Sequence, residues 1–206
     1  MKVLILNGSP HKDGNLSVAI NEMKKIFDAE GDIDVDIVDV GNKPITGCKA
    51  CYACNKLGEC CMHDLVNQTL PKFKAADGVI LASPVYYAAP NGTLMSFCDR
   101  LFFAAKFDKR MKVGASIVAA RRGGCSATYD TLNKFFGIAG MPIASSQYWN
   151  MVHGGAPGEA NQDLEGLQTM RSLARNMVFL MKSIQLGKTL FELPPLEEPA
   201  KTSFIR

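Results

Sequence analysis

Two stretches of this 206-residue chain carry residues whose types and spacing could do chemistry. The first is crowded with thiols: Cys48, Cys51, Cys54, Cys60 and Cys61, five of the seven cysteines, lie within 14 positions. Its spacing, C-x2-C-x2-C-x5-C, lets three thiolates take three corners of an iron–sulfur cubane while the chain curls around it, and Gly47, Ala50 and Ala53 leave room. A zinc site usually separates two C-x2-C knuckles by about a dozen residues or more, which this run does not do. An odd number of cysteines, most of them in one loop, also argues against a secreted disulfide framework. Cysteine as a small core hydrophobe is the plainer alternative, and it is the reading for Cys98, on a helical stripe, and for Cys125, beside a glycine pair.

The second stretch is Asn7-Gly8-Ser9-Pro10-His11-Lys12-Asp13-Gly14-Asn15-Leu16-Ser17. It follows the apolar run Lys2 to Leu6, which reads as a buried strand, and precedes a helical pattern starting near Leu16. A strand that stops in Gly, Ser and Pro and restarts as a helix leaves several backbone N–H groups unpaired around one concavity. The helix dipole favours negative charge at the same place, so this is a ready anion site. It is not a P-loop, because Asn15 stands where that motif requires Lys, and G-x-G-x-x-G is absent. Ser9, Asn15 and Ser17 can instead donate hydrogen bonds to a terminal phosphate monoester.

Written as G-S-P-x-x-x-G-N-x-S, this stretch resembles the phosphate loop of the flavodoxin-like, NAD(P)H-dependent FMN reductases. The resemblance implies that Ser9, His11, Gly14, Asn15, Leu16 and Ser17 surround the FMN phosphate. Thr is commoner in the family at Leu16 and Arg at His11, so one hydroxyl and one fixed charge are missing here. Ser83-Pro84-Val85-Tyr86-Tyr87 with Asn91 looks like the family's second flavin loop, in which Pro84, Val85, Tyr86, Tyr87 and Asn91 would bed the isoalloxazine ring. Arg121-Arg122-Gly123-Gly124 resembles the third, where glycines let backbone approach the pyrimidine end and a cation stabilises the anionic reduced ring. The cysteine run is similar to that of the iron–sulfur flavoproteins, a branch of the same family. That likeness implies Cys48, Cys51, Cys54 and Cys60 as ligands of a [4Fe–4S] cluster and leaves Cys61 outside the pattern.

These loops need elements to position them. Ile20, Met23, Ile26 and Phe27 stripe a helix from Leu16 to about Ala29, and Ile33 to Val40 alternates apolar and acidic residues as an edge or half-covered strand does. Gly41 to Cys61 is too long for a simple connection. Leu65 to Ala76 is weakly helical, with Pro71 expected to interrupt or kink it. Val79 to Ala82 is the third strand, ended by Ser83-Pro84; a helix with the stripe Leu94, Phe97, Cys98, Leu101, Phe102 and Ala105 follows. Val113 to Ala120 is the fourth strand, Ser126 to Gly137 a helix, and Met141 to Tyr148 the fifth strand. Asp163 can cap a long last helix and Gly187 can close it. Strands alternating with helices predict an α/β, flavodoxin-like doubly wound five-stranded parallel sheet, order 2-1-3-4-5, with helices on both faces. All the suspicious loops then meet at one sheet edge. Residues 1–185 are read as the FMN-binding domain, with the cysteine-rich loop at 47–61, and 186–206 as an extended C-terminal tail.

Composition sets the outer limits. The chain is 47% hydrophobic and 21% charged, ordinary for a globular protein, and its net charge of +3 is too small to argue for nucleic acid or an anionic membrane as partner. With no signal pattern and no apolar run approaching about 18 residues, a cytoplasmic protein is expected. The resemblance implies an oxidoreductase in which FMN takes a hydride from NAD(P)H and passes electrons to a quinone, flavin or protein acceptor, with a [4Fe–4S] cluster as relay. It also implies a homodimer or homotetramer with the flavin near the interface, where the loop Trp149 to Gly155 would reach it. Two other readings stay open: a flavodoxin-like carrier reduced by a protein partner, against which the positive charge speaks, and a fold relative with structural zinc. Hydride transfer needs no side-chain acid or base, so no catalytic residue is assigned, and His63 and His153 are given no role.

Overall fold

In the computed structural model, which describes residues 1–198, 200, 202 and 204, the N-terminal apolar run forms β1 (Lys2–Asn7), buried from its second residue onward. It pairs in parallel with β2 (Asp34–Asp39) on one side and β3 (Gly78–Tyr86) on the other. A two-residue β4 (Ala89–Pro90) folds back antiparallel on β3, whose far side pairs in parallel with β5 (Val113–Ala120); β5 then pairs in parallel with β6 (Met151–His153). The order is β2-β1-β3-β5-β6, and with the hairpin strand β4 set aside it is the expected 2-1-3-4-5 of a flavodoxin-like sheet. The acidic positions of β2 lie exposed at the sheet's edge, as its alternation predicts.

Helices cover both faces. On one, α1 (Asn15–Glu30) and α6 (Leu164–Leu190) bury Ile20, Met23, Phe27, Met170, Leu173 and Met177 against the sheet. On the other, α3 (Leu65–Ala75), α4 (Gly92–Ala104) and α5 (Cys125–Ile138) contribute Phe73, Phe97, Leu101, Leu132 and Phe136. A single turn, α2 (Cys54–Leu57), lies inside the cysteine loop. Glu22 of α1 accepts from Lys25 and from Arg171 of α6, which ties the two helices of the first face together.

Four expectations are corrected. Met141 to Tyr148 is not the fifth strand: only Ile143 bridges to Gly114. The Ser146 hydroxyl then accepts from the Tyr148 N–H and donates to the Tyr148 carbonyl, turning the chain before Met151–His153 enters the sheet. The third strand does not stop at Ala82; it runs to Tyr86 and turns through Tyr87 and Ala88, at φ 51° and 58°, into β4. Two successive positive φ angles are the signature of a two-residue type I′ hairpin turn. Helix α3 passes through Pro71 without a break, because Pro71 is exposed and water can serve the carbonyl that it leaves without a donor. Helix α6 runs beyond Gly187 to Leu190, where the Phe191 N–H donates to the Gly187 carbonyl. Residues 186–190 of the expected tail are therefore helical and the irregular chain begins at Phe191; residues 199, 201, 203, 205 and 206 lie outside the described residues. Among the described residues no helix is long and apolar enough to cross a membrane.

Gly114 lets β5 pass under α5. A Cβ at this position would lie 2.5 Å from Cγ of Phe136, a fully buried ring. Gly114→Ala should therefore destabilise the fold by about 1–3 kcal/mol through overpacking, read as a lower urea midpoint at unchanged m-value.

Candidate functional site

At the carboxyl edge of the sheet a cavity of about 440 Å³ opens between the loops after β1, β5 and β6 and the end of β3. One end is the N-terminus of α1. Its N-cap, Gly14, supplies no side-chain hydrogen bond and its first turn holds no acidic residue, whereas α3, α4 and α6 are capped by the side chains of Asp64, Asn91 and Asp163. The positive end of α1 is thus left to whatever occupies the cavity, which Ser9, His11, Gly14, Asn15 and Leu16 line at this end.

The loop is shaped from within. Asn7 accepts the Ser9 N–H at 3.0 Å and donates to Asp39 at 2.8 Å, while the Ser9 hydroxyl accepts from the His11 N–H and donates to the His11 carbonyl, both at 3.1 Å. Gly41, just after β2, packs behind it: a Cβ there would fall 2.3 Å from the Gly8 carbonyl oxygen. Asn15 donates to the Gly154 carbonyl at 2.8 Å and accepts from the Ala160 N–H at 2.9 Å, fastening the loop after β6 to the start of α1. Ser17 donates to the Lys12 carbonyl at 2.7 Å and stands outside the cavity lining.

The other walls come from Pro84, Val85 and Tyr86, from Ala119 to Arg121, and from Gly154, Gly155 and Pro157. Tyr87, Asn91, Arg122, Gly123 and Gly124 lie outside that lining. Tyr87 is fully exposed at the hairpin tip. Asn91 is buried and caps α4, accepting from the Leu94 N–H at 3.1 Å, and its own N–H donates to the Ser83 hydroxyl at 2.8 Å. Gly124 sits at φ 90° and a Cβ on it would meet Cα of Ala88 at 2.8 Å, so this glycine admits the hairpin against the start of α5. Gly154 and Gly155 line the cavity from the loop Trp149 to Gly155 that the resemblance had already pointed to, and Pro157, just beyond it, joins them unpredicted. The Glu159 carboxylate holds that loop by accepting from the Gly155 and Ala156 N–H groups at 2.5 and 2.8 Å, which pulls its pKa below the ordinary carboxylate value.

The five clustered cysteines, Cys48, Cys51, Cys54, Cys60 and Cys61, line a second, small cavity of about 20 Å³ together with Arg100. The two cavities share no lining residue. Among the described residues no three His, Cys, Asp or Glu side chains are gathered as a single-ion site, so the predicted ligands are brought to one place without a ligand geometry being set. Arg100, on α4 and 1% exposed, reaches across to Sγ of Cys60 from Nε and Nη2, both at 3.3 Å. It also donates to both Asp64 oxygens, at 2.6 and 3.0 Å, and to the Thr46 and Met62 carbonyls at 3.2 and 3.0 Å. Burial would lower its pKa, but the bonds to Asp64 and Cys60 outweigh that and hold the guanidinium above its ordinary value. Asn67 grips the Cys60 backbone at both its N–H and its carbonyl, at 3.0 and 2.7 Å. Cys51 and Cys61 are exposed with their sulfurs 3.5 Å apart; the Ala53 backbone and Cys61 pull the Cys51 thiol down, and Cys61 is raised in turn. Cys98 is buried and its thiol pushed up by burial, in keeping with a structural residue. Cys125 is also buried and raised, with its sulfur 3.9 Å from Nε2 of His153.

The sequence model for NADPH-dependent FMN reductases matches residues 1–156. An iron–sulfur flavoprotein of Methanocaldococcus jannaschii is 32% identical over 193 residues, covering 90% of this chain and all of the relative. Among solved structures, RosB with a bound formylated riboflavin-phosphate intermediate superposes with a TM-score of 0.72 at 15% identity, covering 100% of this chain and 94% of that one. An NAD(P)H:quinone oxidoreductase from Methanothermobacter marburgensis superposes with a TM-score of 0.65 at 15% identity over 86% of this chain and 97% of that one. These two structures share the fold.

Because the folded-state pKa of Glu159 is lowered, its tie to the loop is present above the ordinary carboxylate value of 4.5 and is lost as pH falls through the lower folded value. Amide-exchange protection at Gly155 and Ala156 should persist down to about pH 4.5 and fall away below it, and Glu159→Gln should lose it already at neutral pH.

Proposed function

This chain belongs to the family of NADPH-dependent FMN reductases, and from that membership we propose an oxidoreductase of the iron–sulfur flavoprotein kind. It takes electrons from NAD(P)H and passes them, through a [4Fe–4S] cluster, to a quinone, flavin or protein acceptor. The observation that carries the reading is the 440 Å³ cavity that residues of all three flavin-like loops line together with the uncapped start of α1. Its volume lies in the usual range for cofactor sites, roughly 300–1,000 Å³.

When bound, FMN would supply two-electron chemistry toward a nicotinamide and one-electron chemistry toward a cluster. The chain's own residues bind and orient. The free N–H groups at the start of α1, with Ser9, suit a phosphate dianion, since no carboxylate competes in that turn. Arg121, beside Gly155, brings a permanent cation to the cavity, where it would favour an anionic ligand. Tyr86 adds aromatic area, and the loop from Gly154 to Pro157, pinned by Asn15 and Glu159, walls the cavity against water. The clustered thiols around the second cavity are soft donors, one of them backed by a guanidinium, of the kind that holds an iron–sulfur cluster.

Anaerobically purified protein should show flavin absorption over a broad shoulder that dithionite bleaches, with about four irons per chain and stoichiometric FMN. Flavin without iron would leave an FMN reductase without a cluster; zinc without flavin would overturn the whole reading. NADPH oxidation with an added quinone should turn over, whereas no turnover with rapid reduction by reduced ferredoxin would make the protein a carrier. Cys51→Ser should remove iron and leave FMN. Gly41→Ala, which pushes a methyl into the Gly8 carbonyl, should weaken FMN binding at least about tenfold, a loss of roughly 1.4 kcal/mol, by fluorescence titration.

A further inference from the structure

Arg100 does more than an ordinary core residue would. It enters the cysteine loop from α4, its side chain is fully covered, and its six hydrogen bonds run to both ends of the loop: Thr46 on one side, Cys60, Met62 and Asp64 on the other. A buried guanidinium needs negative charge beside it. Asp64 supplies a carboxylate, but the same carboxylate also caps α3 by accepting from the Val66 N–H at 3.0 Å. The remaining forked donation, from Nε and Nη2, goes to a single sulfur. A neutral thiol is a weak acceptor, whereas a thiolate takes such donors well. Cys61, next in sequence, is exposed, and its sulfur lies 3.5 Å from that of another thiol, Cys51.

We propose that Arg100 is a positioning residue for the cluster: its fork holds Cys60, rather than Cys61, as the fourth thiolate and raises the cluster's reduction potential. This rests on the cluster reading above. When one electron enters, no bond forms or breaks and negative charge on the sulfurs grows. Two N–H donors and a fixed positive charge at one of those sulfurs stabilise the reduced state more than the oxidised one.

The test uses full-length protein purified anaerobically, with iron and FMN assays, far-UV circular dichroism, and a dye-mediated potentiometric titration followed by EPR. Arg100→Lys keeps the charge but loses the fork; it should retain FMN and iron while the midpoint falls by about 59 mV or more, a tenfold change for one electron. Arg100→Gln should lose most of its iron with FMN retained. If that variant does not fold, two substitutions that leave Arg100 in place decide: Cys60→Ser should lose iron and Cys61→Ser should keep it. Iron-loaded Arg100→Lys with an unmoved midpoint, or the reverse result for the two serine variants, overturns the inference and leaves the cluster reading standing. Wild-type protein with FMN but no iron overturns both.

Discussion

A parallel strand cannot follow its neighbour through a tight turn, so the chain must cross back through a helix before each new strand is laid down. Every strand-to-helix connection therefore emerges at the same sheet edge, and the helix that follows begins there with backbone N–H groups to satisfy. In this chain the residues after β1, β5 and β6 and the last residues of β3 all wall one cavity for that reason. What distinguishes the connections is how their helices are capped. Asn91 and Asp163 close α4 and α6 with their own side chains, whereas Gly14 and Gly124 contribute none to α1 and α5. The topology makes the edge, and of the two uncapped helix starts on it α1 is the one whose first residues, Gly14, Asn15 and Leu16, line the cavity.

The cysteine loop obeys a different constraint. It is a long connection with only the single turn α2 inside it, so backbone ladders do little to fix its shape. Side chains do that work: Asn67 grips the Cys60 backbone, and Arg100 joins Thr46 to Cys60, Met62 and Asp64. Such an arrangement is rigid only while both charges are present. Removing one partner of a buried ion pair costs about 3–5 kcal/mol, far more than the pair adds over a hydrophobic substitute. The loop's geometry and its electrostatics thus have one source, a cation supplied by a helix outside the loop.

The layers and order of the sheet were legible because they follow from signals that tertiary context rarely reverses: continuous apolar runs for buried strands, a helical stripe, and glycine or proline at the breaks. The misplaced fifth strand shows where such signals end. Met141, Ile143 and Ala144 form the stronger apolar run, but Ser146 turns the chain, and the pairing falls to three residues too short to show a period. At the cavity, motif residues were legible where the local chain alone brings them to its wall, as at Ser9 and Gly14. Asn15 and Asn91 were matched by position, yet their amides hold the loop after β6 and cap α4, roles that depend on partners 139 and 3 residues away. Gly41 was invisible for a like reason, since its neighbour Gly8 is close only in the folded chain. Arg100 lies between Cys98 and Leu101 of the helical stripe and carries no motif of its own.

Backbone strain gives the same two places a common feature. Two-residue type I′ turns favour Asn-Gly because both central residues need positive φ, yet this hairpin carries Tyr87 and Ala88. Ala50 and Tyr52, between the first cysteines, also sit at φ 49° and 58° without being glycine. Each such residue costs on the order of 1 kcal/mol or more and persists only where its surroundings over-determine it. The hairpin is held by the pairing of Val85 with Pro90 and Tyr86 with Ala89, by the Asn91 cap, and by Gly124 against Ala88. The first cysteine turns are held less by pairing than by Tyr52 packing edge-on against Phe103 of α4 and by the Arg100 anchors at either end. Tyr87 itself is fully exposed and repays none of its strain through burial. The strain is maintained instead for the residue before it: Tyr86 closes the last pair of the hairpin and forms a wall of the cavity.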